Sequence, residues 1–86
     1  MTDYTLAFAR TARKELESLD RVTAKRVLSR IEALPTDPRP SGCRKLVGAT
    51  DLWRIRVGDY RVIYSVDDRR RLIDVAVIRH RRDAYR

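Results

Sequence analysis

Leu52-Trp53-Arg54-Ile55-Arg56-Val57-Gly58-Asp59-Tyr60-Arg61-Val62-Ile63-Tyr64-Ser65-Val66 is the stretch whose reading decides the fold. Both halves alternate with a period of two, the pattern of a strand buried on one face. Gly58-Asp59 between them fits a two-residue hairpin turn. With that turn, Val57 faces Tyr60, Arg56 faces Arg61 and Arg54 faces Ile63. Cross-strand neighbours point to the same side, so Arg54, Arg56 and Arg61 are predicted to share one sheet face. Trp53, Ile55, Val57, Tyr60, Val62, Tyr64 and Val66 fall on the other face, which reads as core. Two arginines directly opposite each other destabilise a hairpin. No carboxylate on either strand points to their side, so the cluster is expected to lack an internal partner. Guanidinium forks match phosphate bidentately, which points to a polyanion as the missing partner.

Outward from the hairpin, the rest of the chain falls into order. Tyr4 to Phe8 reads as a first strand, with Tyr4, Leu6 and Phe8 alternating. From Ala9 the period changes: Ala9, Ala12, Leu16 and Leu19 fall at helical spacing. Asp20 is a cap for a second helix, with Val27, Leu28, Ile31 and Leu34 as its apolar stripe. Pro35, Pro38 and Pro40 with Ser41-Gly42 end that helix in a loop. Cys43 to Val47 is a candidate short strand. Asp67-Asp68-Arg69-Arg70 makes a polar turn, and Leu72 to Arg79, apolar apart from Asp74, reads as an inner strand. The predicted fold is one α+β domain over residues 1–86. It has an N-terminal strand, a helical hairpin, then an antiparallel sheet of three to four strands.

The 86 residues suffice for one small core, and 43% of them are hydrophobic. Cys43 is the sole cysteine, so an internal disulfide is excluded and a reducing cytoplasm is expected. No apolar run approaches a membrane span and no signal-peptide core is visible. The net charge is +8, from 20 basic and 12 acidic residues; 17 of the basic ones are arginine. Residues 52–86 carry ten of the basic groups and five acidic ones, so much of the excess coincides with the one-sided hairpin. That bias favours nucleic acid, a ribosomal surface or an acidic protein. The charges on the outer faces of the two helices read as solvated surface.

Cleavage of RNA without a metal needs deprotonation of a 2′-hydroxyl, stabilisation of the phosphorane charge and protonation of the leaving 5′-oxygen. One His, one Cys and no paired carboxylates on a predicted face leave no metal constellation, and no cofactor is expected. No Gly-rich phosphate loop is present. What remains is the basic cluster, His80 and several tyrosines.

The hairpin stretch, followed by Ile78-Arg79-His80-Arg81-Arg82-Asp83-Ala84-Tyr85, resembles the RelE branch of the RelE/ParE toxin superfamily. With the strand and helical hairpin before it, the resemblance covers essentially the whole chain. It implies the toxin of a type II toxin–antitoxin pair that enters the ribosomal A site and cleaves mRNA there. The implied reaction is attack of a 2′-hydroxyl on the adjacent phosphate, leaving a 2′,3′-cyclic phosphate and a 5′-hydroxyl. By the same resemblance, Arg61 holds the scissile phosphate, Arg81 stabilises the transition state or serves as acid, and Tyr85 stacks on or orients a base. Arg54 and Arg56 stand where better-known members have lysines, so they bind RNA but are poor bases, because arginine stays protonated. His80 is the side chain whose unperturbed pKa lies near neutrality, which makes it the candidate base or acid; the alternative is a structural hydrogen-bonding role. Tyr85 has packing as its alternative. Implied partners are an acidic RelB-like antitoxin forming a hetero-oligomer, the ribosome and mRNA. Two rivals share the fold: a ParE-like toxin that poisons DNA gyrase without cutting RNA, and an inactive relative kept as a binding protein.

Overall fold

The computed structural model describes residues 3–48 and 51–82. The elements run β1 (Thr5–Phe8), α1 (Arg10–Ser18), α2 (Arg21–Glu32), β2 (Arg44–Lys45), β3 (Leu52–Val57), β4 (Tyr60–Asp67) and β5 (Leu72–His80). The strands form one sheet in the order β1-β5-β4-β3-β2. β2 to β5 are antiparallel neighbours, as the sequence predicts. β1 adds to β5 in parallel, so the complete sheet is mixed rather than purely antiparallel. The two helices between β1 and β5 make the crossover that a parallel pair requires.

The hairpin has the predicted register: Val57 pairs with Tyr60, Arg56 with Arg61, and Arg54 with Ile63. Gly58 has φ +60° while Asp59 keeps a negative φ, the arrangement of a type II′ turn with glycine first. Ile55, Val57, Val62, Tyr64 and Val66 are buried under the helices. They join Ala12, Val27 and Ile31 from the helices, Leu34 just beyond α2, and Ile73, Val75 and Ile78 from β5. Trp53 and Tyr60 pack against this core while remaining partly exposed. Fully burying each such aliphatic side chain is worth about 1.5–3 kcal/mol, which is why the alternation decides the register.

Local chemistry sets the helix ends. The Asp20 carboxylate accepts a 3.1 Å hydrogen bond from the Thr23 amide and so caps α2. The carboxylate is held below the ordinary aspartate pKa chiefly by its hydrogen bonds from Thr23. At the far end, Arg30 lies in the last turn, where the helix dipole favours a cation. α1 has no side-chain cap; instead the Ala9 amide donates to the Val75 carbonyl and ties the strand–helix junction to the sheet. The Tyr64 hydroxyl donates to the Pro38 carbonyl at 2.7 Å, which anchors the proline loop to the core. Burial pushes the Tyr64 pKa upward, so the hydroxyl keeps its proton.

β5 contains the feature that the alternation does not reveal. Ile63 pairs with Val77, but Tyr64 pairs with Val75, so Ala76 is an extra residue, a β-bulge. Ile73 and Val75 point into the core before the bulge, and Ile78 does so after it. The bulge thereby sends Arg79 to the open face and His80 to the helix-covered one.

Candidate functional site

The open face of the sheet gathers arginine at its hairpin end. Arg56 pairs with Arg61 across β3 and β4, and Arg61 pairs with Arg79 across β4 and β5. Arg44 on β2 pairs with Arg54. Arg54 and Arg61 are half-buried with their Nε atoms withdrawn from solvent, whereas Arg56 and Arg79 are exposed. Arg54 and Arg61 each make a contact of their own, so the expectation of a cluster without any internal partner does not hold for these two. For Arg56 the pairing is with another cation directly opposite.

Beyond His80 the chain turns back towards the hairpin. The Arg81 amide donates to the Asp59 carbonyl at 2.7 Å, which fastens the tail to the type II′ turn. That bond helps shape an open cavity of about 380 Å³ lined by Arg56, Gly58, Asp59, Tyr60, Arg61, Arg81 and Arg82. Four arginines thus line one concavity, together with Asp59. A second recess of about 390 Å³ continues along β3, lined by Arg30, Ser41, Gly42, Arg44, Arg54, Ile55 and Arg56. Arg56 belongs to both. This geometry can hold an anionic chain by several bidentate contacts and stabilise added negative charge on it.

Of the residues singled out in the sequence, Arg56, Arg61 and Arg81 come together, and Arg54 lies in the adjoining recess. His80 does not join them. It pairs with Tyr60 on the helix-covered side, where the two rings meet edge to face with centroids 5.2 Å apart. Its Nδ1 accepts from the Arg82 amide at 3.2 Å. The recess it lines, about 260 Å³, includes Thr23, Arg26 and Val27, and the Gly58–Tyr60 turn stands between it and the arginine cavity. Tyr85 lies outside the described residues. Arg79, Arg82, Arg44 and Arg30 were not singled out by the sequence reading. Arg44 could not be found without the pairing of β2 to β3, which the sequence does not reveal, and Arg79 was hidden by the bulge.

Among the described residues no three His, Cys, Asp or Glu side chains gather in a way that could hold a metal ion. Nor is any described helix long and apolar enough to cross a membrane.

Comparison with known proteins gives the family. The model of the ParE toxin of type II toxin–antitoxin systems matches residues 6–85. A protein of Methanocaldococcus jannaschii, named a candidate toxin RelE1, is 35% identical over 78 residues, covering 85% of this chain and 84% of its own. Among solved structures, the chain is similar to one in the RelE–RelB complex of Pyrococcus horikoshii. That match has a TM-score of 0.82 at 35% identity and covers 94% of this chain and 97% of the other. It is also similar to a chain of the intact RelBE toxin–antitoxin complex of E. coli (TM-score 0.77, 26% identity, 87% and 93% covered). A chain of the RelB–RelE complex of Methanococcus jannaschii matches at TM-score 0.76 with 26% identity, covering 92% and 94%.

Proposed function

This chain belongs to the RelE/ParE family of type II toxin–antitoxin toxins as a RelE-like member, and from that premise we propose that it is a ribosome-dependent mRNA endonuclease. The observation that carries the reading is the cavity where Arg56, Arg61, Arg81 and Arg82 converge. A bound RNA strand places its scissile phosphate there. The 2′-oxygen attacks phosphorus, its proton passes to solvent, and the P–O5′ bond breaks as the 5′-oxygen takes up a proton. The products are a 2′,3′-cyclic phosphate and a 5′-hydroxyl. Arg61 and Arg81 neutralise the charge that accumulates on the non-bridging oxygens, in a site fixed before the substrate arrives. Arg54 and Arg56 bind the flanking backbone; as guanidinium groups they do not act as bases. His80 projects to the other side of the turn, so the electrostatic share of catalysis is large and the share of His80 small. Tyr85, by resemblance, orients a base beside the cleaved bond.

The same reading assigns partners. The RelE chains of Pyrococcus horikoshii, E. coli and Methanococcus jannaschii were each solved with RelB. For this chain we propose an acidic RelB-like antitoxin, a toxin–antitoxin hetero-oligomer and a cytoplasmic site of action. A net charge of +8 gives such an antitoxin a charge to neutralise. The gyrase-directed alternative is not favoured: although the family model is that of the ParE toxin, the relative at 35% identity and the solved structures compared above are RelE proteins. The test is end-mapping of mRNA on translating ribosomes with purified toxin. The expected result is new 5′-hydroxyl ends within the A-site codon, absent when antitoxin is added. Intact mRNA alongside inhibited gyrase would replace this reading with the ParE-like one.

A further inference from the structure

Among the described residues that line the arginine cavity, Asp59 alone is acidic, beside Arg56, Arg61, Arg81 and Arg82. A negative charge on the wall of an anion site repels the ligand and lowers affinity for it. No ion pair offsets that cost: Asp59 is exposed, and among the described residues it forms no salt bridge with the arginines around it. Its main chain, by contrast, is fixed. Gly58, with φ +60°, sets the type II′ turn, and the Asp59 carbonyl accepts from the Arg81 amide at 2.7 Å. Asp59 and Arg81 are therefore held side by side by a bond between their backbones, and Arg61 lies two residues on from Asp59 at the start of β4. The other groups near the cavity are poorly suited to accept a proton. Arginine stays protonated. His80 lies beyond the turn, and the Tyr60 ring is packed edge to face against it.

We propose that Asp59 is the general base of the cleavage, the group through which the 2′-proton reaches solvent. This rests on the endonuclease reading above. The Asp59 carboxylate takes the proton of the 2′-hydroxyl as the 2′-oxygen bonds to phosphorus. Arg61 and Arg81 hold the non-bridging oxygens meanwhile. The P–O5′ bond breaks, the 5′-oxygen takes a proton from water, and the exposed Asp59 returns its own proton to solvent. No net proton is gained or lost, and the carboxylate is ready for a second turnover. An ionised carboxylate is acceptor-only, so it suits this step and has no use as a phosphate ligand. Two plainer roles compete. Aspartate is favoured in tight turns, but asparagine meets the same need without the charge. A carboxylate among arginines also relieves their mutual repulsion, and removing it for that reason would strengthen both phosphate binding and stabilisation of the phosphorane. A base predicts the opposite for the rate, so binding and rate separate the readings.

The test compares the full wild-type chain with Asp59→Asn, which keeps the turn and the side-chain size and removes the proton acceptor. Single-turnover cleavage is followed on ribosomes translating a defined mRNA, over a range of toxin concentrations. The maximal rate and the half-saturating concentration are then read separately. General acid–base catalysis contributes about 10²–10⁴-fold, so the maximal rate should fall by roughly 10²-fold or more. The half-saturating concentration should stay level or drop, because a repulsive charge has left the site. Thermal unfolding should be unchanged, since asparagine suits the turn. In a second arm, Asp59→Ala is assayed with sodium formate, a carboxylate small enough to enter the open cavity. Formate should restore part of the rate in proportion to its concentration, and sodium chloride at equal ionic strength should not. A maximal rate in Asp59→Asn within threefold of wild type would overturn the proposal. So would a faster variant, which would make Asp59 a charge that tempers the arginines. A slower variant that formate does not rescue, or that also needs more toxin for half-saturation, would reduce Asp59 to a turn former and overturn it too. Wild-type toxin that leaves mRNA intact would remove the endonuclease reading and this proposal with it, whereas a wild type and an Asp59→Asn variant that cut equally well would remove this proposal alone.

Discussion

On the helix-covered face of the β3–β4 hairpin, Ile55, Val62 and Tyr64 are at most 1% exposed and every side chain has a packing partner. On the open face, one residue away in sequence from Ile55 and Val62, Arg56 and Arg61 stand directly opposite each other and Arg61 faces Arg79 in turn. Both faces use the same backbone and the same alternation. One is chosen to lower the free energy of the fold; the other repeats a cross-strand pairing that raises it. The contrast teaches where to look for function: at the positions where like charges face each other across neighbouring strands, against the local rule of stability.

The sharpest way to break this comparison is to truncate the open face. Arg61→Ala and Arg81→Ala should each reduce single-turnover mRNA cleavage on ribosomes about 10²–10³-fold, the usual cost of one preorganised donor to a developing anion. A loss below tenfold in both would detach the cavity from the chemistry. Truncating the buried face should do the reverse. Ile55→Ala should cost about 2–5 kcal/mol of stability by chemical denaturation, with cleavage by the remaining folded fraction preserved. His80→Gln tests the boundary between the two faces. With His80 turned towards Tyr60, the variant should keep its cleavage rate within a few fold and retain the pH profile of wild type; a flattened profile near neutrality would return His80 to the reaction.

The smallest effect concerns charges outside the arginine cavity. The Asp68 carboxylate is held below the ordinary aspartate value first by its hydrogen bond from Arg39 and then by that from Tyr4. The Asp20 carboxylate is lowered by Thr23. A depressed folded-state pKa contributes stability above the unfolded value and loses it as pH falls through the folded one. Stability should therefore decline below about pH 4, the range of ordinary carboxylates. Asp68→Asn should flatten that decline in acid denaturation curves. Both carboxylates are exposed, so the change is slight.

The hairpin was legible because a strict period of two and a Gly-Asp turn leave one register that buries Ile55, Val62 and Tyr64 together. The helices were legible from the change of period at Ala9 and the Asp20 cap. β5 was legible as a strand but not in its facing. Leu72 to Ile78 is apolar on both sides apart from Asp74, so no alternation marks which residues point inward. The bulge at Ala76 then shifts the parity. Counted straight from Asp74 on the open face, His80 would join the arginines; the extra residue sends it to Tyr60 and brings Arg79 out instead. The parallel attachment of β1 was likewise silent, since Leu6 and Phe8 alternate identically in either direction. Arg82 and Arg30 were missed because a charge on a tail or helix looks like solvated surface until the fold places it beside Arg56.

The central claim is that the opposed arginines are kept for a ligand at the expense of the fold. Arg56→Thr tests it most directly, with denaturant unfolding and ribosomal mRNA cleavage measured on one preparation. Removing one member of a like-charged cross-strand pair and adding a β-branched residue should raise stability by about 0.2–1 kcal/mol. In the same protein, cleavage should fall by at least tenfold as a backbone contact to the substrate is lost. Opposite signs in the two measurements are the predicted result. A variant that is less stable than wild type, or that cleaves mRNA equally fast, would contradict the account.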